Sequence, residues 1–475
     1  MQKARDALLA RRTAAELGAF ALLKLVVSVV VLATGYEGVS DDDYARVVIA
    51  QTFAHAPTLD PSGTSWLPLP FWLNGGVMML AGTDVWVARA VAIAMGTVSV
   101  WLFWLSARWL TRDSSEARLA TIIAAVMPWS ARLGVSMVPE LPAAACSLFA
   151  IASLSKAAPR GARLAGAALL ACACLSRYEP WFIAVGFAAF CLRDAVLERG
   201  ERTTSIGSAA LALAAPLGWT LWNRHAHGSF FHYLDSVSAY KDAVDNGDLA
   251  SRALAYVYAA GRAEPELLLL FVFLCFRMFR GRGETVRSEL ESFVRPALIS
   301  LFLFVALTAS SIRGGAPTHH PERALLVMHL LLAMVTGALG VRVYRDRRFG
   351  EPRRLLIGIA CVAPLLYMLR FWVLYRESFA HRREELAIGK RVLEAIPDGE
   401  RVRYLDPPDY GYYAISAGSG EPWRFETSLV GAAMADQARY VLLAAEPVAT
   451  RPPVFCDRGP KPSRPGFPIC LYRAE

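Results

Sequence analysis

Three consecutive carboxylates, Asp41, Asp42 and Asp43, stand between Ser40 and Tyr44, a few residues after the first long apolar run closes at Gly35. Ionised groups are expensive beside apolar surroundings, so a triplet at such a boundary needs an explanation. The spacing Ser40-x-x-Asp43 fits a capping box at a helix start, with acids complementing the dipole. That explains one acid well and three poorly. The chemistry open to the others is proton abstraction or ligation of a divalent cation in a cavity at the membrane surface. A further acid, Glu140 in Val138-Pro139-Glu140-Leu141-Pro142, either opens a helix or points into the same cavity. Ser176-Arg177-Tyr178-Glu179-Pro180 splits a long apolar stretch. There Arg177 either pairs with Glu179 in a tight turn or meets a phosphate, for which a guanidinium is well shaped. His319-His320-Pro321-Glu322-Arg323 has the same two readings. Adjacent histidines suggest a metal, but sequence neighbours rarely ligate together on a helix, and Arg323 is the better phosphate candidate. The chain has no Walker loop, no dinucleotide fingerprint and no Gly-x-Ser-x-Gly.

These residues must be positioned by membrane helices. Of 475 residues 55% are hydrophobic and 19% charged, with a mean hydropathy of +0.35. Soluble domains are nearer a quarter charged, and the apolar residues here fall in runs of bilayer-spanning length. The net charge of +9 sits in short Lys/Arg clusters between those runs. That is how orientation signals are placed, and no nucleic-acid motif accompanies them. The expected architecture is an all-α polytopic membrane protein of about eleven spans with external juxtamembrane helices. The spans fall near 17–35, 84–107, 118–135, 139–155, 163–176, 180–192, 205–222, 265–280, 296–312, 324–342 and 355–375. Lys24 in the first span is placed to snorkel to the interface. Residues 41–55 alternate as an amphipathic surface helix, and 71–82 is interfacial or re-entrant. The region 223–263 is expected to be a long external loop.

Basic residues cluster in the loops between alternate spans, which places the N-terminus in the cytoplasm and the tail outside an inner (plasma) membrane. A cleaved signal peptide is disfavoured because no clear small-x-small site follows the first apolar core. The domains expected are a membrane domain, 1–376, and a small soluble α/β domain, 377–475. The latter carries a polar helix (382–396) and strands at Arg401–Leu405, Tyr440–Leu443 and Ile469–Tyr472. Cys456 and Cys470 are close enough to bridge if the tail is in an oxidising compartment; the other six cysteines lie in apolar runs.

Four features resemble the GT-C superfamily of membrane glycosyltransferases, which includes protein mannosyltransferases and lipid A aminoarabinose transferases. They are Asp42-Asp43-Tyr44 opening the first external loop, Trp66-Leu67-Pro68-Leu69 after it, Arg89 early in the second span, and Glu140 at the fourth. The break at Arg177-Tyr178-Glu179 is similar too, and the resemblance covers roughly residues 17–345. It implies a polyprenyl-phosphate-linked sugar as donor and a lipid, glycan or protein as acceptor, with chemistry at the external face. Asp42 is then the general base, Asp43 its alternate or a metal ligand, and Glu140 a second acid positioning acceptor or metal. Arg177, Arg323 and Arg89 hold phosphate; Trp66, Tyr178 and His320 line the sugar and acceptor site. The resemblance fixes no cofactor and leaves a place for a divalent cation. Two departures stand out: the element at Trp66–Pro70 lacks the lysine frequent in relatives, and Asp41 turns the acidic pair into a triplet. The rival reading is a non-catalytic transporter or an assembly scaffold.

Overall fold

The computed structural model describes residues 2–159, 161–243, 248–279, 290–313, 320–345, 381–405, 411–427, 438–444, 452–457 and 468–474, with isolated positions between 355 and 370. The chain opens with α1 (Gln2–Ala33), then α2 (Asp42–His55), α3 (Leu69–Ala81) and α4 (Val85–Leu110). Next come α5 (Ser114–Val126), α6 (Pro128–Leu133), α7 (Glu140–Ala152), α8 (Ala162–Cys174), α9 (Glu179–Leu197) and α10 (Arg202–His227). The membrane part is completed by α11 (His232–Ala243), α12 (Leu249–Ala263), α13 (Pro265–Phe279), α14 (Glu291–Ile312) and α15 (Leu326–Arg345). Six stretches among the described residues are long and apolar enough to cross a bilayer: Thr13–Ala33, α4, α9, α10, α14 and Pro321–Arg345. The protein is a multi-pass membrane protein.

Several expected spans come out differently. The run 118–135 is two helices, α5 and α6, because Pro128 offers no N–H and forces Met127 out of helical geometry (ψ 141°). At 13 residues each, α7 and α8 reach only about 20 Å, short of the ~30 Å hydrocarbon core. Nearly all of α7 is buried within the bundle. The region 223–263 is not a loop: it contains the end of α10, then α11 and α12. The expected span 355–375 lies outside the described residues apart from isolated positions. Lys24 does not snorkel. It is fully buried, and Nζ donates to the Ser130 carbonyl at 2.9 Å, in the short helix that the break at Pro128 creates.

Small residues let the helices approach closely. A Cβ on Gly337 of α15 would come within 2.4 Å of the Ala120 Cα on α5, so the two helices cross at backbone distance. The main core runs through Phe103, Ala120, Leu148, Phe187, Leu303 and Leu330.

After the membrane part come α16 (Arg383–Ala395), β1 (Val402–Leu405), α17 (Gly411–Ser419), β2 (Phe425–Thr427), β3 (Tyr440–Leu443), β4 (Phe455–Asp457) and β5 (Ile469–Arg473). The sheet order is β2-β1-β3-β5-β4. β1 runs parallel to β2 and β3; β5 is antiparallel to β3 and β4. The tail is thus the expected small α/β unit, with the polar helix where the periodicity placed it. Two short strands, β2 and β4, and α17 were not expected. Cys456 and Cys470 face each other across β4 and β5 and are bridged.

The helix α2 is not a surface helix. Its apolar face, Tyr44, Val47 and Ala50, is covered by protein: Met78 of α3, Ala88 of α4, Met137, and Ala414 and Ala417 of α17. Gly75 of α3 has no room for a side chain, since a Cβ there would lie 2.7 Å from the Ala50 carbonyl. Gln51 Nε2 donates to Thr83 O (2.7 Å) and Ala417 O (2.8 Å), which bonds the tail to the membrane domain across α2.

Candidate functional site

The acid triplet resolves into three directions, because successive residues on a helix are about 100° apart. Asp41 faces the tail: Arg382 grips it with Nε at 2.8 Å and Nη2 at 3.1 Å. Asp43 faces inward and is fully buried. Its Oδ2 accepts from the backbone N–H of Val39 (2.9 Å) and Ser40 (3.3 Å), and its Oδ1 from Met137 N–H (2.6 Å). Burial pushes its pKa up to about 6, against the Arg89 charge and these three donors. Asp42 is the most exposed of the three, with Oδ2 3.3 Å from Arg323 Nη2. Burial raises the Asp42 pKa, yet the Arg323, Arg46 and Arg177 guanidiniums overcome it and hold this carboxyl below the usual range. The capping box is half present. The hydroxyl of Ser40 makes no cap bond, while the Asp43 carboxylate reaches back to the Ser40 N–H.

Around Asp42 the structure gathers the starts of three helices. Glu140 and Glu179 occupy the first turns of α7 and α9, where the dipole favours an acid. Arg323 sits in the 3-10 turn Pro321–Leu325 that leads into α15. A continuous chain of ion pairs results. Arg323 Nη1 is 3.3 Å from Glu140 Oε1, and the same oxygen accepts from Arg177 Nη1 at 2.7 Å. Arg177 also clasps Glu179, through Nε at 3.0 Å and through Nη2. Of the two expectations for Arg177, the structure shows the turn closed with Glu179, and Glu140 ties the same guanidinium to the group around Asp42.

Beside this chain lies a residue the sequence did not single out. Arg46, on α2 four residues after Asp42 and so on the same face, is buried. Its guanidinium lies 4.5 Å over the Trp66 ring and 5.8 Å from that of Phe71. The spacing from Asp42 was the available signal; on the helix pattern alone Arg46 read as the polar face of an amphipathic element. Burial lowers its pKa and the like charges of Arg177 and Arg323 press the same way, while Glu140 and Asp42 support its charge. Trp66 is brought here because Leu69 N–H, at the head of α3, bonds the Leu175 carbonyl (3.1 Å) just ahead of Arg177.

Other expected site residues lie apart from this cluster. The Arg89 guanidinium is bonded to the carbonyls of Glu37 and Val135 beside Asp43, so it braces the loops under the triplet. Tyr178 stacks on Tyr233 of α11 (4.3 Å between centroids) and meets Trp181 edge-on (5.1 Å), forming an aromatic wall next to Arg177. His320 adopts a left-handed conformation (φ 51°), with its ring edge-on to Trp129 at 5.9 Å. His319 lies outside the described residues. Near Trp129, buried Glu264 accepts the Trp129 N–H at 3.1 Å, and burial pushes its pKa up to about 8. Among the described residues no three His, Cys, Asp or Glu side chains converge on a point that could hold a metal. Asp43 is poorly suited as a ligand, since both of its oxygens already accept backbone N–H groups.

Residues 61–222 match the model of the dolichyl-phosphate-mannose-protein mannosyltransferase family. No curated protein matches the chain. Among solved structures, ArnT from Cupriavidus metallidurans bound to undecaprenyl phosphate aligns with a TM-score of 0.61 at 15% identity, over 96% of this chain and 97% of that one. The apo state of the same protein aligns with a TM-score of 0.61 at 15% identity, over 97% and 98%. The Archaeoglobus fulgidus oligosaccharyltransferase, in complex with Zn and sulfate, aligns with a TM-score of 0.52 at 13% identity, over 90% of this chain and 67% of that one. Residues 61–222 are thus similar to that mannosyltransferase family, and the chain shares the fold of these membrane proteins.

Proposed function

We propose that this protein transfers a sugar from a polyprenyl-phosphate donor to the hydroxyl of an acceptor at the extracytoplasmic face, with inversion and with Asp42 as base. The observation that carries the reading is the convergence of one partly exposed carboxylate with a group of buried guanidiniums, supplied by three separate elements of a GT-C fold. That ArnT is bound to undecaprenyl phosphate supports a lipid phosphate as the donor's headgroup. A polyprenyl phosphate is already a good leaving group, so the reaction needs no strong acid. It needs a carboxylate to take the acceptor proton and fixed positive charge to receive the departing oxygen. Asp42 Oδ1 makes no hydrogen bond among the described residues, leaving it available to the acceptor O–H. As that oxygen attacks the anomeric carbon, the bond to the phosphate oxygen breaks on the opposite face, the proton passes to Asp42, and the phosphodiester leaves as a monoester. The bridge Cys456–Cys470 supports an extracytoplasmic tail, since such bonds persist in oxidising compartments.

The test is Asp42→Asn in a transfer assay with radiolabelled polyprenyl-linked sugars in membranes. Loss of the base is expected to lower turnover by about 10²–10⁴-fold with donor binding retained. Turnover within a few-fold of wild type would retire Asp42 as base.

A further inference from the structure

The cluster around Asp42 holds three buried or largely buried guanidiniums, and they are not equivalent. Arg177 has Nε, Nη1 and Nη2 all engaged by Glu179 and Glu140. Arg323 has both Nη groups on Glu140 and Asp42. Arg46 differs: its Nε and Nη1 are buried with no hydrogen-bond partner among the described residues. A buried donor without an acceptor costs about 1–3 kcal/mol, and more where it is charged, so a protein keeps one where an acceptor arrives. One face of this guanidinium is taken by Trp66, and Nη2 too makes no hydrogen bond among the described residues, which leaves the edges of the group for an incoming ligand. Nη2 pairs with Nε along one edge and with Nη1 at the tip, and either pair forms the fork that grips two oxygens of a phosphate at once. Glu140 Oε2 is also buried and without a partner. It supplies a nearby acceptor for a hydroxyl but would repel an anion, so the phosphate belongs to the Arg46 edge.

We infer that Arg46, rather than Arg177 or Arg323, makes the first bidentate contact with the phosphate oxygens of the prenyl-phosphate donor, with Trp66 fixing the plane of its guanidinium. Arg177 and Arg323 then act as positioning residues that hold Glu140 and Asp42. The inference rests on the lipid-phosphate reading above and is tested separately from it. The full chain, purified in detergent, is titrated with farnesyl phosphate, farnesol and inorganic phosphate, and binding is followed by tryptophan fluorescence. Wild type is expected to prefer farnesyl phosphate over farnesol, and Arg46→Gln to weaken farnesyl phosphate binding by about 10- to 100-fold while leaving farnesol unchanged. If wild type discriminates and Arg46→Gln retains that discrimination, the Arg46 assignment is overturned and the donor reading survives. If wild type binds the alcohol as well as the phosphate, the donor reading fails and takes the assignment with it. Inorganic phosphate binding as tightly as farnesyl phosphate assigns the edge to a free anion and overturns the lipid part. Should Arg46→Gln not purify as folded protein, Arg46→Lys decides. It keeps the charge but loses the fork and the stacking, so binding about 5-fold or more weaker is expected, and unchanged affinity overturns the assignment.

Discussion

Glu140→Gln removes one negative charge from between two guanidiniums and changes almost no volume. The side chain of Glu140 is 1% exposed, that of Arg323 7% and that of Arg177 19%. Removing one partner of a buried ion pair costs about 3–5 kcal/mol when the other charge is left alone. Neither arginine is left alone here. Arg177 keeps the two-bond clasp on Glu179, and Arg323 keeps Asp42, whose side chain is 42% exposed and correspondingly screened. The amide oxygen of Gln also still accepts a bond. The expected loss is therefore below that range, about 2–3 kcal/mol. At roughly 1 kcal/mol per degree for a chain of this length, the thermal midpoint in detergent should fall by about 2–3 °C. The decisive arm adds a ligand. With their shared carboxylate gone, Arg177 and Arg323 should welcome an anion, so farnesyl phosphate should raise the midpoint of Glu140→Gln by more degrees than that of wild type. An unchanged or raised midpoint without ligand, together with equal stabilisation of both proteins by farnesyl phosphate, would show that Glu140 is not the counter-charge of this cluster.

The remaining predictions concern pH and the seating of the tail. Glu264 is a buried acid whose folded pKa, about 8, lies above its usual 4.5. Its contribution to stability is fully present below about 4.5 and is lost as pH rises through 8, an expected loss of about 2–3 kcal/mol between pH 6 and pH 9. Glu264→Gln should flatten that part of the stability profile, and an identical decline in both proteins would contradict the assignment. Arg382 holds Asp41 with two bonds, its Nη1 bonds Glu385 at 3.1 Å, and its backbone N–H donates to Glu37 Oε2 at 2.8 Å. Arg382→Ala should lower hydrogen-exchange protection of α2 and α17 amides by about 10- to 100-fold while sparing the sheet. Uniform loss over the whole tail would instead indicate unfolding of the domain.

The membrane class, the small α/β tail and the order of the site elements were legible in the sequence, because each rests on a local signal. Apolar runs mark spans, the basic clusters between them mark loops, and Pro180 and Pro321 mark helix starts. What was not legible depends on direction. Nothing in Asp41-Asp42-Asp43 says that the first reaches a domain more than 300 residues away, the second Arg323 and the third the backbone beneath. Arg89 illustrates the same limit: an arginine early in a span fits phosphate binding, yet its partners are two carbonyls of distant loops. Lys24 read as a snorkelling residue because its hydrogen-bond partner exists only once Pro128 has broken the run 118–135. α2 read as a membrane-surface helix for a similar reason: its amphipathic pattern shows that one face is covered, but not that α3 and α17 do the covering.

The arrangement around Asp42 also bears on how the proposed reaction would be favoured in its transition state and not merely in binding. Asp42, Glu140 and Glu179 carry three negative charges against three positive ones on Arg46, Arg177 and Arg323, so the cluster is close to neutral. The donor phosphodiester brings one further negative charge, which meets the uncommitted edge of Arg46. During displacement charge moves: Asp42 takes the acceptor proton and becomes neutral, while the departing phosphate gains a second negative charge. Arg323, 3.3 Å from Asp42 Oδ2 at the start, then loses the charge it was paired with as a new one appears on the leaving oxygen. Its attraction is transferred from base to leaving group without any change in the total charge of the cluster and its substrates. An interaction that strengthens only as the bond breaks accelerates the chemical step, whereas one equally strong throughout only tightens binding. A cluster in which every guanidinium faced an uncommitted phosphate site from the outset would bind the donor more tightly and the transition state no better. The carboxylates around Arg177 and Arg323 thus make those arginines responsive to the reaction, while Arg46 holds the substrate in place.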